Sequence, residues 1–239
     1  MKVVAFIPVK LNNERVPGKN TKCFSDGTPL MTLIQRTLLK CEEIDEVYCY
    51  CSNENVKEYL IEGVNFKNRD KRFDSNSADV NEMFLQFTRE VVADIYVLAH
   101  ATAPFLKSKS IDTAVRKVKK GKYNSALTVV KQQDFAWKDG KTLNYDIKRV
   151  PRTQDLPVIY IETTGCYIFT KEVIQEQRSR IGNRPYLLVV SKFEAIDNNE
   201  QEDFVMADAV YNYKQMFWGY RPTIIKIKMH SISSVREVA

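Results

Sequence analysis

The stretch VVAFIPVKLNNERVPGKN, Val3 to Asn20, decides the fold class. Its first five residues, Val3 to Ile7, form a short apolar run rich in β-branched side chains, which reads as a strand buried on both faces. After Pro8 the character changes at once. Lys10, Arg15 and Lys19 appear with one carboxylate (Glu14), three amides (Asn12, Asn13, Asn20) and a Pro17-Gly18 turn. A polar loop at the carboxyl end of such a strand is where open α/β sheets place their ligands. Lys and Arg match phosphate oxygens in charge, and amides and backbone N–H groups fill the remaining acceptor sites, so the loop reads as a polyphosphate clamp. On charge alone it also fits an ordinary solvated basic loop. It is not a P-loop, because it holds one glycine and Asn20 follows Gly18-Lys19; no G-x-G-x-x-G occurs anywhere in the chain.

Outward from this stretch the chain keeps a βαβ rhythm. Asp26-Gly27-Thr28-Pro29 is turn chemistry, and Leu30, Leu33, Ile34, Leu38 and Cys41 recur at helical spacing. Val47–Cys51 reads as a second strand, Ser52 or Asn53 as the cap of a helix over Glu54–Ile61, and Val64–Phe66 as a short third strand. Ser75 or Ser77 is expected to open a helix over Asp79–Val91. Asp94–Ala99 is the clearest central strand, and Ser108–Lys120 an amphipathic helix with a solvated basic face. Ala126–Val130, Thr164–Phe169 and Tyr186–Val190 read as strands, Lys171–Gln177 as a helix, and Phe193–Ile196 as a strand end. Gln132–Thr163 is long, polar and irregular, the pattern of a lid or arm. Alternating strands and helices predict an α/β fold with a mostly parallel sheet covered on both faces.

The 239 residues are 44% hydrophobic, enough for one domain spanning 1–239 with a small appendage. No apolar run approaches the ~18 residues of a membrane span, and Met1-Lys2 lead straight into a strand without a signal-peptide pattern, so a cytoplasmic location without membrane contact is expected. The net charge of +6 is spread without a basic block, which suits a small anionic substrate and argues against nucleic acid. Five cysteines without C-x-x-C, two of them (Cys49, Cys51) on one strand face, read as small buried hydrophobes.

Pro17-Gly18-Lys19-Asn20, behind an apolar strand and a basic residue, resembles the signature of the sugar cytidylyltransferases that make CMP-sialic acid and related CMP-ulosonates, the acylneuraminate cytidylyltransferase family. Lys10 stands where that family usually has Arg, keeping the charge and losing the bidentate fork. The resemblance implies that Lys10, Asn13, Arg15, Lys19 and Asn20 hold the nucleotide. The family's cytosine-holding stretch, Arg-Pro-x-x-Leu-Ala-x-Asp-x-Ala, is similar to Arg69–Ala78, with Asp70 for the Pro and Asn76 for the Asp. Arg69 then reads the base and Ala78 offers its backbone. Of Leu-x-Gln-Pro-Thr-Ser-Pro-Leu-Arg, Thr102 and Pro104 match, His100 replaces the Gln, and the final Arg is absent. His100 is the candidate to accept a hydroxyl proton, although a lone His is also commonly structural. Arg152, in Pro151-Arg152-Thr153-Gln154, resembles the family Arg that meets the ulosonate carboxylate; a surface Arg at a turn is the plain alternative. Thr164 stands for the family's sugar-binding Asn. Glu194–Phe204 resembles the closing Ile-Asp-x-Asp-x-x-x-Asp-Phe, with Asp197 on the first Asp and Asn199 in place of the second. Mg²⁺ usually takes one or two carboxylates plus phosphates and waters, so Asp197 and Asn199 are the implied ligands of Mg²⁺ or Mn²⁺. A helix-capping turn with Asn198 or Asn199 as the cap fits the same stretch.

The resemblance, several short motifs in order from Val3 to about Val210, implies a Rossmann-like (GT-A-like) three-layer nucleotidyltransferase with residues 132–163 as an inserted dimerisation arm of a homodimer. Its reaction is attack of a sialic-acid-like nonulosonate hydroxyl on the α-phosphorus of CTP, with catalytic roles at Lys10, Lys19, His100 and Asp197. Two other readings stay open. A nucleotide-sugar glycosyltransferase shares the βα beginning but lacks here an Asp-x-Asp near Leu98–Thr102, and Lys10, His100 and Asn199 also fit a nucleotide-binding relative without turnover.

Overall fold

Val3–Pro8 forms strand β1, and its first five residues are fully buried because sheet neighbours flank it on both sides and helices cover both faces. The computed structural model describes residues 1–12 and 17–217. β1 pairs in parallel with β2 (Glu46–Cys51) on one side and β4 (Ile95–Ala99) on the other. β3 (Val64–Asn68) adds in parallel outside β2. Beyond β4 lie β8 (Ile159–Thr170), β5 (Ser125–Gln132) and β9 (Pro185–Val189), giving the order β3-β2-β1-β4-β8-β5-β9. β8 runs antiparallel to both its neighbours, whereas β5 and β9 pair in parallel.

The sheet is the middle of three layers. α1 (Leu30–Leu39) and α3 (Ser108–Lys119) bury Met31, Ile34, Ile111 and Val115 against the Val3, Ala5 and Ile7 face. α2 (Val80–Glu90) and α4 (Lys171–Gln177) cover the face that presents Val4 and Phe6. There Phe6 stacks on Phe87 at 4.2 Å and meets the edge of Phe84 at 5.7 Å. Truncating such a ring costs about 3–5 kcal/mol. α5 (Gln201–Phe217) docks separately, stacking Tyr211 and Phe204 on Phe24 at 4.4 and 5.4 Å. Cys49 and Cys51 are fully buried on the α1/α3 face, and all five thiols are free.

Several expectations change. Glu54–Tyr59 is a 3₁₀ run capped by Asn53, not a helix to Ile61: Val56 is its one buried residue, so no apolar face sustains a longer α-helix. α2 is capped by Asp79, which accepts from the N–H groups of Asn81 and Glu82 and places its charge at the positive helix end. The Ser75 and Ser77 hydroxyls bond each other instead. Phe193–Ile196 is a turn, closed by Ala195 N–H to Ser191 and Ile196 N–H to Phe193. The 132–163 segment is more regular than its polarity suggests. β5 and β8 remain paired out to Gln132↔Ile159, and β6 (Trp137–Lys138) and β7 (Lys141–Thr142) close a hairpin over Asp139-Gly140, both with φ above zero.

Between the pairs Leu127↔Tyr167 and Val129↔Glu162, Thr128 alone opposes Thr163–Cys166. Its hydroxyl fills the bulge, accepting from Thr163 Oγ1 (2.7 Å) and Cys166 N–H (3.2 Å). Thr164 is thrown out of the ladder with φ +55°.

Candidate active site

From β1 the sheet grows to β2 on one side and to β4 on the other, so a crevice opens at the carboxyl ends of β1 and β4. The loop after β1 and His100 after β4 therefore meet there. Asn20, buried, donates Nδ2 to the Lys10 carbonyl (2.9 Å) and clips the loop into shape, while Gly18 turns at φ +65° and its carbonyl accepts from Thr21. Lys10 Nζ donates to Asn76 Oδ1 (3.0 Å), joining the first loop to the Asn68–Val80 stretch. Lys19 is half-buried, and its charge is felt at His100. Asn13 and Arg15 lie outside the described residues.

Arg69 is 3% exposed. Its Nη2 lies 2.6 Å from Asp74, which also accepts from Ser52 Oγ, and its Nη1 faces Met83 Sδ. Nε is buried with no partner among the described residues, so one donor of this guanidinium is uncommitted. Ala78 gives its N–H to the Ser75 carbonyl at 3.3 Å.

His100 donates its backbone N–H to Gly165, and its Nε2 is buried without a partner among the described residues. Burial, then the positive charges of Arg180 and Lys19, lower its pKa to about 4 against the opposing pull of Asp197. The ring is neutral at pH 7 and can accept a proton. Two residues on, the Thr102 carbonyl accepts both the N–H (2.9 Å) and Nδ2 (3.0 Å) of the fully buried Asn198. Asn198 thus ties the His100 turn to the loop carrying Asp197.

Asp197 Oδ2 accepts from Thr164 Oγ1 and Asn199 Nδ2, both at 2.8 Å, while Oδ1 is buried without a partner among the described residues. It is the nitrogen of Asn199, not its carbonyl oxygen, that meets this carboxylate. Asp203 accepts from the N–H groups of Asn199 and Glu200 and caps α5. Upstream, the buried Glu194 accepts from Ser110 Oγ (2.6 Å), Ser191 Oγ (3.1 Å) and Lys107 N–H (3.3 Å), pinning the same loop to the start of α3. Arg152 sits apart on the arm, 73% exposed and paired with Asp155 at 2.8 Å.

The crevice therefore gathers Lys10, Lys19, His100, Thr102, Thr164, Asp197 and Asn199; Arg69 and Ala78 lie in the stretch after β3 that Lys10 reaches through Asn76, and no contact among the described residues joins Arg152 to it. Sequence reasoning missed Asn198, Glu194 and Arg180. Asn198 had a signal in its adjacency to Asp197; Arg180, in a polar loop, had none.

A family model described as cytidylyltransferase matches residues 4–216. The chain belongs to the cytidylyltransferase family. Within it, the chain is 22% identical over 241 residues to N-acylneuraminate cytidylyltransferase A of Danio rerio, covering 97% of this chain and 56% of the relative. It is 23% identical over 215 residues to cytidylyltransferase B of the same fish, covering 85% of this chain and 50% of the relative. This cytidylyltransferase-family chain thus spans about half the length of the curated relatives it matches. A solved CMP:2-keto-3-deoxy-manno-octonic acid synthetase complexed with CTP has the same fold, with TM-score 0.67 and 13% identity over 90% of this chain and 100% of that one. Among the described residues, no helix is long and apolar enough to cross a membrane.

Proposed function

We propose that the protein transfers CMP from CTP to a sialic-acid-like nonulosonate or related sugar acid and releases pyrophosphate. The observation that carries this reading is the pairing, in one crevice, of a neutral His100 and a carboxylate, Asp197, each with a buried atom that has no partner among the described residues, beside the basic loop after β1. Phosphoryl-type transfer depends chiefly on positioning and on charge stabilisation. Lys10 and Lys19, with Asn13, Arg15 and the loop shaped by Asn20, hold the phosphates. Arg69, whose Nε has no partner among the described residues, and the backbone carbonyl of Ala78 face the cytosine. Thr102, Thr164 and Arg152 receive the acceptor, Arg152 from an arm that reaches a second copy. His100 Nε2 takes the proton of the attacking hydroxyl, and Asp197 stabilises the imidazolium that results.

Asp197 Oδ1 is a buried oxygen without a partner among the described residues, so the site fits one hard cation, which Asp197 and Asn199 would hold together with the phosphates. Among the described residues no group of three His, Cys, Asp or Glu forms a cage, which makes the nucleotide part of the binding site. A Mg²⁺ or Mn²⁺ ion held by these residues would supply charge neutralisation for the departing pyrophosphate. Phe135, Trp137, Ile147 and Val150, exposed on the 132–163 arm, support a homodimer joined through it; the cytoplasm is its proposed location.

Pyrophosphate release, measured for CTP, UTP, ATP and GTP against a panel of sugar acids, tests the reading. CTP with nonulosonates should dominate. Equal rates with ATP, or no release with any acceptor while CTP binds, overturns it.

A further inference from the structure

Leu33 and Thr37 of α1, the 104–107 segment after β4, and Tyr211, Lys214 and Gln215 of α5 line a cleft of about 260 Å³. None of the crevice residues lines it. Its wall is largely apolar, with Leu33, Phe105, Leu106 and Tyr211 buried there. The polar groups in the wall include no carboxylate. Thr37 already donates its hydroxyl to the Leu106 carbonyl, and Tyr211 donates to Asp26. Gln215 Nε2 is buried with no hydrogen-bond partner among the described residues. Lys214 is half-buried, with Nζ 4.3 Å from the centre of the Phe105 ring and 5.9 Å from that of Phe193, and no carboxylate pairs with it among the described residues. The nearby Lys107 has an anion of its own, with Nζ 3.6 Å from Glu194. Two ammonium groups and one carboxylate leave one positive charge over, and it is the charge of Lys214. Burial, and then Lys107, lower the Lys214 pKa against the pull of Glu194, so the ammonium is poorly solvated where it stands.

We infer that this cleft is a binding site for a small apolar monoanion, a carboxylate whose head meets Lys214 and whose body lies against Leu33, Phe105 and Tyr211. Charge and size both select this class. A neutral ligand leaves Lys214 uncompensated, a cation meets two ammonium groups, and a dianion brings a second charge to an apolar wall. A dry cavity of about 150 Å³ holds one benzene ring, so this cleft has room for a ring of that size and a short acidic arm. A carboxylate also offers more than one acceptor site, which lets it take the idle Gln215 amide together with Lys214.

The test is calorimetric titration of the full chain with phenylacetate, 2-phenylethanol and 2-phenylethylamine, which share one ring and differ in charge. Phenylacetate should bind in the millimolar range or tighter, within reach of a ligand of about ten non-hydrogen atoms. The alcohol should bind at least tenfold more weakly, the scale of one hydrogen bond to a charged group, and the amine should not bind. Lys214→Met should bring phenylacetate and the alcohol to within about threefold of each other, whereas Lys214→Arg keeps the charge and should keep the preference. Saturating CTP should leave the phenylacetate affinity unchanged, because the two sites share no residue. No binding of phenylacetate, equal binding of acid and alcohol in wild type, or a preference that survives Lys214→Met overturns the inference. Displacement of phenylacetate by CTP places it in the crevice and overturns the inference as well. Each of these results leaves the cytidylyltransferase reading standing, since CTP binding and pyrophosphate release are measured apart from it.

Discussion

Thr164 and Asp197, 33 residues apart in sequence, are joined by a 2.8 Å hydrogen bond in which the threonine hydroxyl donates to Oδ2. The bond exists because β8 carries a bulge: Thr128 fills the gap left by Thr163–Cys166, and Thr164 leaves the sheet pointing at the loop after β9. The cost is local. Thr164 holds φ +55°, a region unfavourable for a β-branched residue.

Replacement of Thr164 separates the strain from the hydrogen bond. Asn tolerates the left-handed region and offers an amide donor, so Thr164→Asn should gain about 1 kcal/mol, a rise of roughly 2–4 °C in Tm for a domain of this size. Turnover should be kept within a few-fold. Thr164→Ala keeps the strain, frees Asp197 Oδ2 from one donor, and should lose about tenfold in kcat without gaining stability. Thermal melts and initial rates on the two variants decide it; a lower Tm for Thr164→Asn sinks the strain argument.

His100 gives stability a definite pH dependence. Its folded pKa of about 4 lies below the ordinary value of 6.5, because burial and nearby positive charge disfavour the imidazolium. Between those two pH values the unfolded chain binds a proton that the folded chain does not. The resulting stability is fully present above pH 6.5 and is lost as the pH falls toward 4. Melts of His100→Gln should show a shallower decline across this window than wild type. In kcat/KM the acid limb of the free enzyme should lie near pH 4 instead of 6.5.

Glu194 fixes the Asp197 loop from the other side. Its buried carboxylate serves two serine hydroxyls and the Lys107 N–H, so Glu194→Ala leaves three donors without an acceptor and should cost about 2–4 kcal/mol. Glu194→Gln keeps one acceptor oxygen and should cost less than half as much. Urea unfolding of the pair measures the difference. Equal midpoints would mean that the loop is held by Asn198 alone.

How much of this was legible in the sequence follows from how local each signal is. The first strand and its basic loop are encoded in one continuous stretch, and the βαβ alternation gave the layers without reference to distant residues. Asp79 as the cap of α2 was equally local, yet two serines just upstream competed for the role, and only the competition between side chains settles it. The regularity of the arm was hidden because β5 and β8 pair across 26 intervening residues, an arrangement that composition does not record. Asn198 on the Thr102 carbonyl, Thr164 on Asp197 and Arg180 on Tyr167 are contacts between loops that the sheet brings together. The motifs marked Asp197 and Thr164 as residues, but not the bond between them.

The metal prediction follows from the two oxygens of Asp197. Oδ2 is held by Thr164 and Asn199, which leaves Oδ1 as the one buried carboxylate oxygen in the crevice without a partner among the described residues. A single carboxylate supplies too little charge to hold Mg²⁺ tightly, because that ion gives up its waters reluctantly. Binding should be weak in the free protein and tighten when CTP is present. Asp197→Asn removes the only charge facing the ion and should abolish this CTP-dependent tightening, with a loss of at least a hundredfold in turnover. Asn199→Ala removes an uncharged ligand and one of the two donors that orient Oδ2, and should cost about tenfold or less, because the charge of Asp197 and the Thr164 bond both remain. Asn199→Asp sets a second carboxylate against the first, so it should raise metal affinity without CTP by bringing like charges together around the ion. Mn²⁺ titrations of the three variants, read by water-proton relaxation with and without CTP, give each affinity separately. If Asp197→Asn binds Mn²⁺ as tightly as wild type in the presence of CTP, Asp197 is not the ligand, and its two donors hold it for the sake of His100 alone.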